Sequence, residues 1–200
     1  ANQPSETAAS MQVYLDGTLR FAALVLPPAA ATRLARSALR AAADAMLSPL
    51  DTSAVKKFTA FGVAALEQDT ASLEALADSI QAELSGGDGG GGDDFSGGGV
   101  LVADSRLRDA LAAPRSFVRL LSGDHDVVTM ADEASVMDPA RMSSVGLPLD
   151  KFARMLDKYK EVSTASKLMM QMRGDGGKLP TKKQVEAAAR AMRLRAAQKI

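Results

Sequence analysis

The single histidine, His125, stands between Asp124 and Asp126, so one short stretch offers an imidazole and two carboxylates, side chains that bind divalent metals or move protons. Metal sites draw their ligands from separated positions that fold together. No second cluster of histidines or carboxylates accompanies this one, and a solvated loop accounts for it. With one histidine and no cysteine, the chain offers little for a nucleophilic triad and nothing for a thiolate nucleophile. Gly87, Gly89 and Gly92 match the spacing of a dinucleotide-binding glycine loop, but that loop works only between a strand and a helix N-terminus. Here the glycines belong to a linker. The residues therefore predict a protein that is not an enzyme and needs neither cofactor nor metal.

Two further groups could recognise a partner. Met169, Met170 and Met172 form a cluster of adaptable apolar side chains, flanked by Lys167 and Arg173. Adjacent residues on a helix point in different directions, which leaves at least one of Met169 and Met170 as a candidate for exposure, against core packing as the default reading of the cluster. Lys178, Lys182, Lys183, Arg190, Arg193, Arg195 and Lys199 make the C-terminal segment basic, opposed by Asp175 and Glu186 alone. A solvated helix face accounts for these charges, contact with anionic lipid or nucleic acid being the other use. Net charge is +0, which removes any global attraction to nucleic acid.

The elements that position these groups read as helices. The chain is 46% hydrophobic over 200 residues, enough for one ordinary core or two small ones, and rich in Ala, Leu and Met rather than aromatics. Ser10 is a candidate cap for a first helix carrying Val13, Tyr14 or Leu15, Leu19, Ala22 or Ala23 and Leu26, stopped by Pro27-Pro28. The second spans Ala29 to Leu47, with Leu34, Ala38, Ala41, Ala42 and Ala45 or Met46 on one face, and ends at Ser48-Pro49. A third starts near Thr52 or Ser53 and puts Val55, Phe58, Gly62 or Ala65 and Leu66 together. A fourth, capped by Asp69 or Thr70, carries Leu73, Leu76, Ala77, Ile80 and Leu84.

Ser85 to Gly99 is almost wholly Gly, Asp and Ser, a flexible tether spanning about 20 Å. It divides an N-terminal helical half, residues 1–84, from a C-terminal half, residues 100–200. The second half opens through Leu107, Leu111, Val118 and Leu121, with Pro114 as a kink or a fresh first turn. Loops around one or two brief helices follow from Ser122 to Pro148. Leu149 to Arg173 is periodic enough for a helix about 37 Å long, and Thr181 with Gln184 forms a capping box opening a last helix that buries Val185, Ala188, Ala189 and Met192. The expected fold is all-α, an elongated bundle or rod of about seven helices in two halves with coiled-coil-like faces. The longest apolar run, Phe21 to Leu26, is far short of the roughly 20 residues a membrane span needs. Starting at Ala1 with no signal-peptide pattern, the chain reads as a fragment or a processed product.

Val55-Lys56-Lys57-Phe58-Thr59, then Leu66, Asp69 and Leu73-Glu74-Ala75-Leu76-Ala77-Asp78, resemble the pattern V-K-R-F-N, an apolar residue, D and L-E-x-F-A-D of the Sec-fifteen subunit of the exocyst vesicle-tethering complex. Tyr14-Leu15-Asp16 and Leu26-Pro27 resemble that family's Y-L-D and L-P elements. Arg106 to Leu121 is similar to its helix ending in V-x-L-L, and Leu156-Asp157-Lys158-Tyr159-Lys160-Glu161 to its L-E-K-F/Y-K-E helix. The order is collinear. The chain departs from the pattern at the Gly-rich insert, at Thr59 and at Leu76. What the resemblance implies is a cytoplasmic helical tether, recruited to secretory vesicles and the plasma membrane through its partners. Those partners would be other exocyst subunits and a GTP-bound Rab-family GTPase, with no nucleic acid. The GTPase would meet the second half, at Lys167, Met169, Met170 and Arg173. A Met-rich nucleoprotein or signal-sequence binder and a purely structural bundle are the alternatives.

Overall fold

The computed structural model describes residues 3–86, 106–122, 149–163 and 180–197, and these are all-helical, with no strand among them. Helix α1 spans Glu6–Val25. Its cap is Ser5 rather than Ser10: the Ser5 hydroxyl accepts from the Ala8 amide at 3.2 Å, with Glu6 in the positive first turn. Asp69, expected to cap a separate helix, instead holds this terminus. Its carboxylate accepts from the Ser5 amide at 2.7 Å and the Ser5 hydroxyl at 2.8 Å.

Pro27 closes α1 and Pro28 opens α2, Pro28–Asp51, whose first turn lacks intrahelical partners and so loses nothing to a proline. The helix runs past Ser48-Pro49, the stop expected from sequence. Pro49 lies in the last turn, where its missing N–H costs one bond, and the Leu47 side chain beside it is fully buried. The buried face is Ala31, Ala35, Leu39, Ala42, Ala43 and Leu47, so of the expected face Ala42 is buried and Ala38 and Met46 pack partly buried against the core, whereas Leu34, Ala41 and Ala45 point outward. Alanine occurs all round this helix, and apolarity alone does not choose between its sides.

Helix α3, Ala60–Gly86, is one continuous element where two were expected. Residues 52–59 are irregular, and Thr70 sits inside α3 with its hydroxyl donating to the Leu66 carbonyl at 2.7 Å. The expected inward set Leu73, Leu76, Ala77 and Ile80 is buried. Contacts of Arg20 on α1 with Ser79 and Glu83, and of Ser5 with Asp69, set α1 and α3 parallel.

A 3-10 turn at Leu107–Leu111 leads into α4, Ala112–Ser122, with Pro114 in its first turn as the sequence allowed. Helix α5 covers only Leu149–Leu156, so the expected helix to Arg173 ends early. Tyr159 leaves the helix to form an isolated parallel bridge with Phe58. The Phe58 amide donates to the Lys158 carbonyl at 3.0 Å, and the Lys160 amide to the Phe58 carbonyl at 2.7 Å. Residues 164–173 lie outside the described residues. Helix α6, Lys182–Ala197, opens with the expected capping box, and Val185, Ala188, Ala189 and Met192 are buried.

Two apolar clusters result. The first joins Leu15 and Leu19 of α1, Leu39 of α2, Leu73 and Ile80 of α3, and Leu107 and Leu111. The second joins Leu47, Phe58, Phe117 of α4, Phe152 of α5, Tyr159 and Met192 of α6. Each contains side chains from both sides of the Gly-rich insert.

Candidate interaction surface

Helix α1 is apolar on two faces. Ala8, Leu15, Leu19 and Ala22 recur at helical spacing and face the first cluster. Val13, Tyr14, Phe21, Leu24 and Val25 occupy the opposite sector and stand in solvent, Phe21 66% exposed and Leu24 85%. At 100° per residue these five and Gly17 fall within a stripe about 120° wide and about 18 Å long. Leu26 beyond the helix end and Leu34 on α2 are also more than a third exposed. A side chain added at Gly17 would meet nothing within 4 Å, so among the described residues this glycine answers to no packing constraint.

The stripe carries no carboxylate of its own. Asp16 lies beside it and pairs with Arg20 at 2.8 Å, and Arg20 reaches across to Ser79 at 3.1 Å and to Glu83. Beyond the Pro27-Pro28 turn, α2 carries Arg33, Arg36 and Arg40. From Gly17 to Ala43 the sequence holds these four arginines and no acidic residue.

Other ionisable groups serve the fold. Glu74, buried on α3, accepts from Arg108 at 2.6 Å and also from Arg115, which fastens the 3-10 turn and α4 to α3. At the far end of α2, Asp51 meets Arg154 at 3.3 Å and Lys151 at 3.9 Å. Tyr159 is buried with its hydroxyl donating to the Pro180 carbonyl at 3.0 Å, and burial together with the Glu161 charge raises its pKa above 10.0. Arg108 is likewise held protonated by its hydrogen bond to Glu74. Among the described residues no three His, Cys, Asp or Glu side chains gather as a metal site requires.

No family model, curated protein or solved structure matches the chain.

The residues expected from sequence to meet a partner, Lys167, Met169, Met170 and Arg173, lie outside the described residues, as do Asp124, His125, Asp126 and Gly87, Gly89 and Gly92. Of the basic C-terminal set, Lys182 pairs with Glu186 at 3.4 Å and Arg193 with Asp157. Of the face expected for α1, Val13, Tyr14 or Leu15 with Leu19, Ala22 or Ala23 and Leu26, the structure buries Leu15, Leu19 and Ala22 and leaves Val13, Tyr14 and Leu26 exposed. The signal that could have found the stripe is the second apolar face of α1 combined with the acid-free stretch after it. No helix among the described residues is long and apolar enough to cross a membrane.

Proposed function

We propose that the chain is a vesicle-tethering interaction module of the exocyst, and that it binds an activated Rab-type GTPase through its second helical half. One observation supports this reading above the rest. Two of the stretches that resemble the Sec-fifteen subunit, Val55 to Thr59 and Leu156 to Glu161, lie far apart in the chain and pack on each other. Phe58 and Tyr159 form the parallel bridge, and their ring centroids stand 5.8 Å apart. Side chains that look like scattered motif positions thus share one core.

Recognition of the GTP-bound form needs a surface with exposed apolar side chains and a few charges, because switch regions ordered around the γ-phosphate display apolar residues. Lys167, Met169, Met170 and Arg173 have that composition. The module would work in the cytoplasm and reach vesicle and plasma membranes with its partners. A pull-down of the chain against a panel of nucleotide-loaded Rab proteins tests the reading. Selective retention of one GTP-loaded member is the expected result, and of Met169→Asp and Met170→Asp the one that alters the exposed member of the pair weakens it by about 2 kcal/mol. Equal retention of GDP- and GTP-loaded forms, or none, overturns it in favour of a structural bundle.

A further inference from the structure

The Phe58–Tyr159 bridge gathers cations on its solvent side. Phe58 and Tyr159 are buried, while Lys56, Lys57 and Lys160 are exposed and Lys158 is half-buried. The backbone fixes their neighbourhood, because the Phe58 amide meets the Lys158 carbonyl and the Lys160 amide meets the Phe58 carbonyl. Each of the four lysines stands within two residues of Phe58 or Tyr159, so their Cα atoms share a span of roughly 10 Å. The Lys158 ammonium donates to the Thr52 carbonyl, which leaves its charge in place. Neighbouring carboxylates are engaged by other groups. Asp51 holds Lys151 and Arg154, Asp150 holds Arg154, Asp157 holds Arg193, and Glu161 accepts from the Lys182 amide at 3.4 Å. Among the described residues no carboxylate pairs with Lys56, Lys57, Lys158 or Lys160. Asp51 and Asp150 cancel Lys151 and Arg154, and Asp157 cancels Arg193. Four lysines against Glu161 remain, an excess of positive charge even when that carboxylate is counted in full. The four side chains belong to neither apolar cluster, and like charges set about one backbone contact repel each other.

Uncompensated ammonium groups attract an anion, and their crowding selects its kind. A phosphomonoester carries about 1.5–2 negative charges near neutral pH, so two of them on one small molecule match the cluster. A long polyanion would run on past Asp51, Asp157 and Glu161, which border the lysines, and the chain as a whole has a net charge of +0. We infer that Lys56, Lys57, Lys158 and Lys160 bind a compact ligand bearing two or more phosphomonoesters, whether the headgroup of a membrane lipid or a free polyphosphate. Lysine suits this task, because its ammonium is a point charge on a flexible stem and meets phosphate oxygens from many directions. Bound phosphates would draw residues 52–59 and 157–160 together, tightening the joint between segments that come from opposite sides of the Gly-rich insert. The inference does not rest on GTPase binding.

Two assays of the full chain test it without any GTPase, so failure here leaves the Rab reading standing. One is titration calorimetry with inositol hexakisphosphate, the other co-sedimentation with phosphatidylcholine vesicles carrying phosphatidylinositol bisphosphate. Binding to one probe or both is the expected result, weaker as salt rises, and the probe that binds tells free from lipid-borne phosphate. Lys57→Gln with Lys160→Gln should weaken binding about thirtyfold, each lysine counting as much as one does at an anionic membrane surface. Both side chains are exposed and unpaired, so this variant should keep the wild-type helical spectrum and, without ligand, melt no lower than the wild type. Hexakisphosphate should raise the melting temperature of the wild type more than that of the variant. Arg33→Gln with Arg106→Gln removes the same charge from exposed positions outside the patch and should leave binding unchanged. No binding to either probe overturns the inference. So does an equal loss in the two double variants, which would reduce the attraction to net charge. Displacement of hexakisphosphate by single-stranded RNA at equal phosphate concentration also overturns it, since the patch would then belong to nucleic acid.

Discussion

At Glu74 a carboxylate in the middle of α3 lies buried beneath two guanidiniums, Arg108 and Arg115, contributed by the chain beyond the Gly-rich insert. Removing the acid leaves two arginines crowded together, whereas removing either arginine leaves the other pair intact. Glu74→Ala should therefore lower the denaturation midpoint further than Arg108→Ala. Equal effects in a urea titration would contradict this account. Tyr159 is the second buried polar anchor. Its hydroxyl is the hydrogen-bond donor to the Pro180 carbonyl, and Tyr159→Phe leaves that carbonyl without this donor at a cost of about 1–2 kcal/mol. The folded-state pKa lies above the ordinary 10.0, so the neutral phenol is favoured by folding. The contribution is complete below pH 10.0 and disappears as pH rises through the folded value. The chain holds two tyrosines, so in a Tyr14→Phe background the ultraviolet titration reports Tyr159 alone, and its midpoint should lie above 10.0.

Helix faces were legible where the opposite side was polar and illegible where alanine filled both. On α6, Val185, Ala188, Ala189 and Met192 face inward as spacing requires, because Lys182, Lys183, Glu186 and Arg190 occupy the other side. On α1 and α2 spacing admits Val13, Tyr14 and Leu34 beside Leu15, Leu19, Ala22 and Ala42; the first three face solvent and the other four are buried, a choice made by tertiary contacts that spacing does not encode. Stops were misread for a related reason. Pro49 looks like a terminator, and so does the polar run at Asp69-Thr70, yet a last-turn proline costs little and Thr70 satisfies its hydroxyl on Leu66. The early end of α5 follows from the Phe58–Tyr159 bridge, a pairing with a distant residue. For the candidate surface, the acid-free stretch from Gly17 to Ala43 was visible in the sequence, but the exposure of Phe21 and Leu24 was not. Asp69 makes a testable link between elements. Asp69→Ala should free the first turn of α1, costing about 1 kcal/mol and speeding amide exchange at Ala8 and Ala9 more than at Leu19.

Across the whole molecule, the insert that divides the sequence does not divide the cores. Leu107 and Leu111, from beyond it, are fully buried against Leu39, Leu73 and Ile80 from before it, and Leu47 and Phe58 from before it lie with Phe117, Phe152 and Met192. A chain ending at Gly86 would leave α3 with the Leu107 contacts missing, Glu74 buried opposite no cation, and Phe58 without its bridge to Tyr159. Each loss alone is of a few kcal/mol, against a total stability of about 5–15 kcal/mol for an ordinary domain. Residues 1–86 by themselves should therefore show helical dichroism without a cooperative melt. Adding residues 106–197 as a separate chain should restore a single transition, since the segments meet through both clusters and the Glu74 ion triad. Phe117→Ala offers the matching test in the intact chain. It opens a cavity among Phe58, Phe152 and neighbouring side chains and should cost about 3–5 kcal/mol. If the two halves were independent, that substitution would destabilise α4 to α6 and leave exchange at Leu39 and Leu73 unchanged. A shared core instead requires protection to fall in both clusters together, with one melting transition at a lower temperature.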